Sequence, residues 1–184
     1  MKLTHAEKLA VKVIETMRPY CDRIEVAGTI RRRHAEVREL DLVAIPTLGD
    51  PVDLLGEERE NLLCQWARLL QAEERILWLK PNVEGVIRWP LDEKSPRWRG
   101  LLVKSDTVLR VHLAQSGTWG VCFFLATGSP SYTHQVVSDA PYKSGHHCID
   151  NWLINREGAK VQTPEEADVF EALGLPFVPP EARD

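Results

Sequence analysis

Two acidic side chains stand two residues apart inside an apolar run. Glu39 and Asp41 lie in the segment RELDLVAIP, where leucine, valine and alanine alternate with them. If the segment is a β-strand, both carboxylates point to the same face, about 6.6 Å apart along the strand. Such a pair could bind the divalent ions that neutralise phosphate groups. A solvent-facing acid beside a second acid at a strand end would give the same pattern, so the spacing leaves both interpretations open.

A cationic turn precedes these acids. Three arginines, Arg31 to Arg33, and then His34 follow the pair Gly28-Thr29. A glycine turn exposes backbone N–H groups to an anion, and a hydroxyl and an arginine add charge-assisted hydrogen bonds. Short arginine runs also occur as solvated turns. The order of the residues fits a triphosphate at the turn with metal ions at the acids.

The elements that must position these residues follow from periodicity and turn signals. A helix is predicted over residues 4–19, with Thr4 as its N-cap and Glu7 completing a capping box. A second helix is predicted over Glu57–Gln71. Strands are predicted at DRIEVAG, Leu40–Pro46, RILWL, GVIRW, WRGLLVK and VLRVHLAQ. This order indicates an α/β (α+β) fold in which helices pack on a mixed sheet.

The character of the chain changes after QSGTWG. The segment VCFFLATGSPSYTHQVVSDA predicts two helices joined by a tight TGS turn, and WLINREGAKV predicts a hairpin. A last helix is predicted with Thr163 as its cap, Pro164 at its first position and Gly174 at its end. We therefore predict two domains, residues 1–115 and residues 116–184.

Composition is that of a soluble globular protein. The chain has 184 residues, of which 43% are hydrophobic and 27% charged, and no apolar run approaches a membrane span. The polar N-terminal segment does not have the pattern of a signal peptide. The net charge is −4, which argues against a strongly basic nucleic-acid-binding surface, but residues 76–110 hold seven bases and four acids. A local basic patch is therefore available.

The four cysteines are scattered, with no C-x-x-C pair. This spacing favours reduced thiols in a cytoplasmic protein. The segment GHHCID could hold a metal through His146, His147 and Cys148. No second ligand pair lies at a finger-like spacing, so a zinc site there is disfavoured.

Taken together, GTIRRRHAEVRELD resembles the G-S-x-R-R…D-x-D segment of the nucleotidyltransferase superfamily. It is most similar to the family X DNA polymerases, the group of DNA polymerase beta. In that family the first acid lies eleven residues after the glycine, as Glu39 does after Gly28. The later strand VLRVHL, the turn TGS and the ending TPEEADVFEALGLPFVPPEARD also follow the family's order. The resemblance covers nearly the whole chain and is closest to short viral members that consist of a palm and a thumb.

The resemblance implies a fold and a reaction. Residues 1–115 would form a nucleotidyltransferase palm, and residues 116–184 a small thumb-like subdomain. The activity would be DNA-directed DNA polymerisation, in which a primer 3′-hydroxyl attacks the α-phosphate of a nucleoside triphosphate during gap filling or repair. Two divalent ions, Mg²⁺ or Mn²⁺, and a primer-template or gapped DNA would be required. A monomer in the host cytoplasm, without a membrane partner, is expected.

The resemblance also implies residue roles. Gly28 and Thr29 would cradle the triphosphate, with Thr29 where the family usually has serine, and Arg32 would bind a phosphate. Glu39 and Asp41 would be catalytic and would hold the metal ions, with Glu39 where the family has aspartate. The sugar and base side of the pocket would be lined by three residues, Thr127, Gly128 and Ser129.

His112 stands where the family has its third metal-binding carboxylate, in RVHL. Imidazole removes one negative charge and suits manganese, zinc or nickel better than magnesium. We expect His112 to be the third catalytic and metal-binding position, with magnesium-supported activity weakened. Two other interpretations stay open: a nucleotidyltransferase that acts on RNA or protein, and a degenerate homologue that binds nucleotide or DNA without turnover.

Overall fold

A mixed five-stranded sheet forms the centre of the larger part of the protein. The computed structural model describes residues 1–51, 59–80 and 86–184. The described strands are β1 (Cys21–Val26), β2 (Glu39–Pro46), β3 (Leu48–Pro51), β4 (Arg59–Asn61), β5 (Ile76–Trp78), β6 (Arg97–Leu102), β7 (Thr107–Leu113), β8 (His147–Ile149), β9 (Trp152–Ile154) and β10 (Lys160–Val161). The central sheet has the order β1-β2-β7-β6-β5, in which β2 and β7 are parallel and the other neighbours antiparallel.

Helices cover this sheet and build the C-terminal part. The described α-helices are α1 (Leu3–Met17), α2 (Gly28–Arg31), α3 (Leu63–Ala72), α4 (Trp119–Thr127), α5 (Pro130–Lys143) and α6 (Glu166–Leu173). Among the described residues, no helix is both long and apolar enough to span a bilayer. The predicted mixed sheet with flanking helices is confirmed.

Alternation along β2 explains why it lies at the centre. Leu40, Leu42 and Ala44 are fully buried in a core that also contains residues of α1, α3, β6 and β7. Glu39, Asp41 and Val43 point to the other face because side chains alternate along a strand. Val43 packs there in a smaller apolar cluster with Trp119 and Cys122 of α4. The C-terminal part is therefore seated against the same sheet face that carries the acids.

The C-terminal part has its own core. Val121, Phe124, Leu153, Val169 and Phe170 are almost completely buried together. The ring of Phe124 lies edge-on to that of Phe170, with centroids 5.5 Å apart. These residues come from α4, β9 and α6, so helix and hairpin residues share one apolar cluster. The predicted helix–turn–helix, hairpin and final helix are confirmed.

Two predicted elements differ from the structure. The helix predicted over Glu57–Gln71 begins at Leu63, because residues 59–61 pair with β3 as a strand; residues 57 and 58 lie outside the described residues. The predicted strand GVIRW is reduced to one bridge between Leu79 and Arg88, and its Gly85 lies outside the described residues. Strand pairing and tertiary contact here outweigh local periodicity.

Both predicted N-caps were also wrong. The cap of α1 is Lys2 instead of Thr4, because Lys2 pairs as an extended residue with Glu36. The cap of α6 is Glu165, which forms a capping box with Asp168. Thr163 is buried, and its backbone N–H donates to Gly117 O at 2.9 Å. The chain around Thr163 is thus held against the start of α4 before the helix begins. The predicted end of that helix at Gly174 is confirmed, with φ +67°.

Candidate active site

Glu39 and Asp41 stand together at the start of β2. Their side chains are 24% and 12% exposed, so both are partly withdrawn from water. Strand β7 runs parallel beside them, and its residue directly opposite Asp41 is Arg110. The sequence prediction that the two acids share a face is consistent with this register, because one side chain of β7 reaches both of them.

That side chain is Arg110, which sequence reasoning missed. Its guanidinium is paired with the Glu39 carboxylate, and its Nη1 lies 3.7 Å from Asp41 Oδ1. A guanidinium placed between two carboxylates neutralises one of their charges. The signal for this residue was its position two before His112, which puts both side chains on the same face of β7.

His112 lies deeper on the same face. It is opposite Val43 in the β2–β7 register, and its Nε2 is 3.8 Å from Asp41 Oδ1. This Nε2 atom is buried and has no hydrogen-bond partner among the described residues. A buried ring nitrogen without a partner is unusual, because burial without a hydrogen bond is unfavourable. The imidazole is therefore available to a ligand placed near Asp41.

The glycine turn lies directly against Asp41. Gly28 has φ +59°, and a Cβ on it would be 2.1 Å from Asp41 Oδ2. The Ala27 backbone N–H donates to the Asp41 carbonyl at 2.8 Å. Glycine is required here both by the left-handed backbone and by the close approach. The turn and the carboxylate edge thus form one structure, while Thr29 is half-buried beside it.

Residues of the C-terminal part make most of the contacts to Arg31 and Arg32 of the arginine run. Arg31 donates to Thr127 Oγ1 at 2.7 Å and makes two hydrogen bonds to the Glu166 carboxylate at 2.9 and 2.8 Å. Its guanidinium also stacks 3.8 Å from the ring centroid of Phe123. A solvated turn, the alternative considered for this run, does not describe Arg31.

Arg32 is 9% exposed. It donates to the Thr127 carbonyl, and its Nε lies 3.3 Å from Asp184 Oδ1. His34 Nε2 lies 3.0 Å from the same carboxylate oxygen. Asp184 therefore occupies the side of Arg32 at which an anion could bind, and a phosphate at this position would compete with it.

The TGS turn meets Arg32 from the other side. Thr127 is fully buried, and a Cβ on Gly128 would lie 2.9 Å from Arg32 Nη1. Ser129 caps α5 by accepting a hydrogen bond from the Tyr132 N–H at 3.3 Å. The structure brings the TGS turn against Arg32, which precedes Thr127 by 95 residues and directly follows the helix that Gly28 begins.

Glu166 forms ion pairs with one arginine from each of the two parts of the chain. It is 5% exposed and also accepts from Arg183, which is fully buried, at 2.6 Å. Burial would raise the pKa of this carboxyl, but hydrogen bonds from Arg31 and Arg183 outweigh it and leave the pKa below its ordinary value. Glu166 is therefore ionised at neutral pH and holds two guanidiniums.

The donors at the acids fit a metal ion only in part. Asp41 Oδ1 and the unpartnered His112 Nε2 are close enough to share one ion, whereas Glu39 is held by Arg110. Within the described ranges, no group of three or more His, Cys, Asp or Glu side chains could hold a metal. An oxygen and a nitrogen donor suit a borderline divalent ion. A metal bound here would need further ligands from elsewhere.

Comparisons with known proteins agree on the fold. Residues 122–184 match the family model described as DNA polymerase beta thumb. The crystal structure of Leishmania infantum polymerase beta, in a ternary P/T complex, is similar with a TM-score of 0.71. That similarity covers 100% of this chain and 76% of that chain, at 16% sequence identity. No curated protein matches. These findings confirm the predicted resemblance in fold to the family X DNA polymerases.

Proposed function

We propose that this chain, which has the fold of a family X DNA polymerase, adds nucleotides to a primer 3′-hydroxyl and fills short gaps in DNA. One observation carries the proposal: the Gly28 turn lies against the carboxylate of Asp41. This contact joins a backbone suited to bind anions to the acids that would face the reacting phosphate. The partners would be a nucleoside triphosphate and a primer-template or gapped DNA.

Each residue of the site has a role in this proposal. The backbone of Gly28 and Thr29 cradles the triphosphate. Arg32 binds one of its phosphates after Asp184 gives up its place beside the guanidinium. Thr127, Gly128 and Ser129 face the sugar and base. Because the triphosphate carries several negative charges, it displaces the single Asp184 carboxylate when it binds.

Glu39, Asp41 and His112 would hold the divalent ions, Mg²⁺ or Mn²⁺. Such ions would lower the pKa of the primer hydroxyl and stabilise the pyrophosphate leaving group. Arg110 offsets one of the two negative charges of Glu39 and Asp41 before the substrate arrives, so the two acids can stay close without a bound cation. Asp41 is the best placed of the three because it touches the glycine turn and faces both Arg110 and His112.

The division of the chain into residues 1–115 and 116–184 is part of the proposal. The first would act as the palm and the second as the thumb. The Arg31–Glu166 pair and the stack of Arg31 on Phe123 hold them together around the site. We propose that the protein works as a monomer in the cytoplasm.

A second candidate function is nucleotide or DNA binding without turnover. Two observations favour it: Arg110 already pairs with Glu39, and the third position offers an imidazole in place of a carboxylate. Both reduce the negative charge available to a pair of divalent ions. Transfer to RNA or protein is the remaining alternative.

Primer extension on a duplex with a one-nucleotide gap tests the proposal. Extension should occur with Mn²⁺ or Mg²⁺, and Asp41→Asn should lower its rate at least a hundredfold, since a removed charge-assisted interaction is worth about 3 kcal/mol at such sites. Asp139→Asn is the matched control, because this carboxylate lies on α5 and pairs with Lys143 in solvent. Parallel labelling of RNA and protein acceptors addresses the transferase alternative. Nucleotide binding without any extension would support the second candidate.

A further inference from the structure

A groove lies at the outer edge of the central sheet, where β5 is the last strand. Its volume is about 600 Å³. The lining combines two tryptophans with polar and apolar side chains, among them Gln71, Glu74, Trp78, Arg88, Trp89 and Val103. Three strand spacings of ~4.8 Å separate β5 from β2, so the groove is roughly 14 Å from the acids. It is therefore separate from the candidate active site.

We propose that this groove binds single-stranded nucleic acid, with one base stacked on the indole of Trp89 and a phosphate bound by Arg88. The inference goes beyond the proposed function, because such binding requires neither a nucleoside triphosphate nor a transfer reaction. The matched family model covers residues 122–184 and does not include the groove.

Trp89 presents its ring to solvent from a fixed backbone. The Trp89 N–H donates to the Trp78 carbonyl at 3.0 Å, and the Lys80 N–H donates to the Ile87 carbonyl at 2.8 Å, which attaches this segment to the edge of β5. The Trp89 side chain is nevertheless 47% exposed, although tryptophan is highly buried on average. The ammonium of Lys80 lies 5.1 Å from its ring centroid. An exposed indole held in this way is a surface on which an unpaired base can stack.

The charge beside the ring suits a polyanion. Lys80 and Arg88 are both exposed, and within the part of the chain that the structure describes neither forms an ion pair. Of the described residues that line the groove, Glu74 is the single acid. Two cations and one anion give a local charge of +1, in a chain whose net charge is −4.

This combination favours a nucleic acid over an apolar protein surface. Cations beside an exposed aromatic ring are the means by which proteins bind a single strand without reading its sequence. An apolar partner would remove water from Lys80 and Arg88 without supplying a counter-charge, which is unfavourable. The phosphates of a single strand supply that charge, and its bases supply the stacking surface.

The test is the binding of a labelled deoxythymidine decamer to the full chain, measured by fluorescence anisotropy in EDTA and without nucleotide. The decamer should bind at least tenfold more tightly than a blunt duplex of the same length, because paired bases cannot stack on the indole. Trp89→Ala should weaken binding at least fivefold, the effect expected when one stacked base is lost. Trp89→Phe keeps a ring and should weaken binding less than threefold. Tyr142→Ala is the matched control, because Tyr142 is 89% exposed on α5 and should change the affinity less than twofold.

Salt dependence tests the phosphate contact separately. In Arg88→Gln, the slope of the logarithm of the binding constant against the logarithm of salt concentration should become less steep by about 0.7, the value for one phosphate contact with a single strand. Arg18→Gln is the matched control, because Arg18 is an exposed cation directly after α1 and should leave the slope unchanged. A uridine decamer distinguishes RNA from DNA: the tighter of the two decamers identifies the natural class, and either upholds the site.

Unchanged affinity in Trp89→Ala, or equal binding of the single strand and the duplex, would overturn the inference. Self-association of the parent that Trp89→Ala abolishes, measured by sedimentation, would also overturn it, because a second copy would then cover the groove. If Trp89→Ala does not fold, ultraviolet cross-linking of the decamer to the parent decides. Attachment to the peptide that contains Trp89 supports the site, and attachment only to other peptides rejects it.

Discussion

Glutamine in place of Glu166 tests whether the buried ion network holds the two parts of the chain together. Glu166 is 5% exposed and accepts three hydrogen bonds, two from Arg31 and one from Arg183. Glutamine has nearly the same shape but no charge, and one of its two terminal groups donates instead of accepting. At least one arginine N–H would then face another N–H group.

The expected loss of stability is large because Arg183 is fully buried. Removing one partner of a buried ion pair costs about 3–5 kcal/mol, since the remaining charge is left uncompensated. We expect Glu166→Gln to lower the free energy of unfolding by that amount. Glu165→Gln, one residue earlier, is the matched control: Glu165 pairs with Arg23 but is 60% exposed. Exposed pairs of this kind are worth about 0–1 kcal/mol.

The pH dependence has a definite sign. The pKa of Glu166 is lowered in the folded protein, because the hydrogen bonds from Arg31 and Arg183 outweigh the effect of burial. A lowered pKa means that the contribution is complete above the unfolded pKa and is lost as the pH falls through the folded pKa. The difference between the parent and Glu166→Gln should therefore be full at neutral pH and shrink in acid.

Urea denaturation followed by tryptophan fluorescence measures both effects. The two variants and the parent should be compared at neutral pH and in acid, with the midpoint and slope fitted separately. Equal destabilisation by Glu165→Gln and Glu166→Gln would refute the reasoning, because the larger loss expected for Glu166→Gln depends entirely on the burial of its ion pairs. A difference that does not shrink in acid would refute the assignment to the charge.

Three further predictions concern the site and the thiols. Gly28→Ala should abolish nucleotide binding. It should also lower the free energy of unfolding by well over the ~1–2 kcal/mol that a left-handed alanine costs, because the added Cβ would collide with Asp41. Gly158→Ala is the control: its Cβ would meet nothing within 4 Å, so the same denaturation assay should show only the backbone cost. In a calorimetric titration, Arg32→Ala should weaken nucleotide binding by about 1.5–3 kcal/mol. Asp184→Asn should strengthen nucleotide binding, because the substitution removes a competing carboxylate. Affinity changes of the same sign in both variants would contradict competition at Arg32. Burial raises the pKa of Cys122 to about 12, so at pH 8 its alkylation, followed by mass spectrometry, should require unfolding.

Local pattern accounts for most of the elements. Alternation around Glu39 and Asp41 predicted β2, and Gly174 predicted the end of α6, because both depend on residues close in sequence. The caps at Thr4 and Thr163 were wrong for the opposite reason. Each lies where the chain is paired with a distant segment, which decides where the helix can begin.

The sequence by itself determined the types and spacing of the residues that could do chemistry. Two acids on one strand face, a glycine turn eleven residues earlier and an imidazole on a later strand all follow from the printed order. It could not say which partners these side chains would find. Strand register and long-range packing set those partners, and neither is encoded in a short window.

Only the tertiary structure decided which charged side chains of the site are paired with each other. The parallel register of β2 and β7 places Arg110 opposite Asp41, where its guanidinium offsets one of the two carboxylate charges. The docking of α6 brings Glu166 to Arg31 across 135 residues of sequence, which turns part of the predicted phosphate-binding run into a contact between the two parts. Ion pairs depend on distances of a few ångströms in a partly buried setting. Such distances exist only once the whole chain has folded.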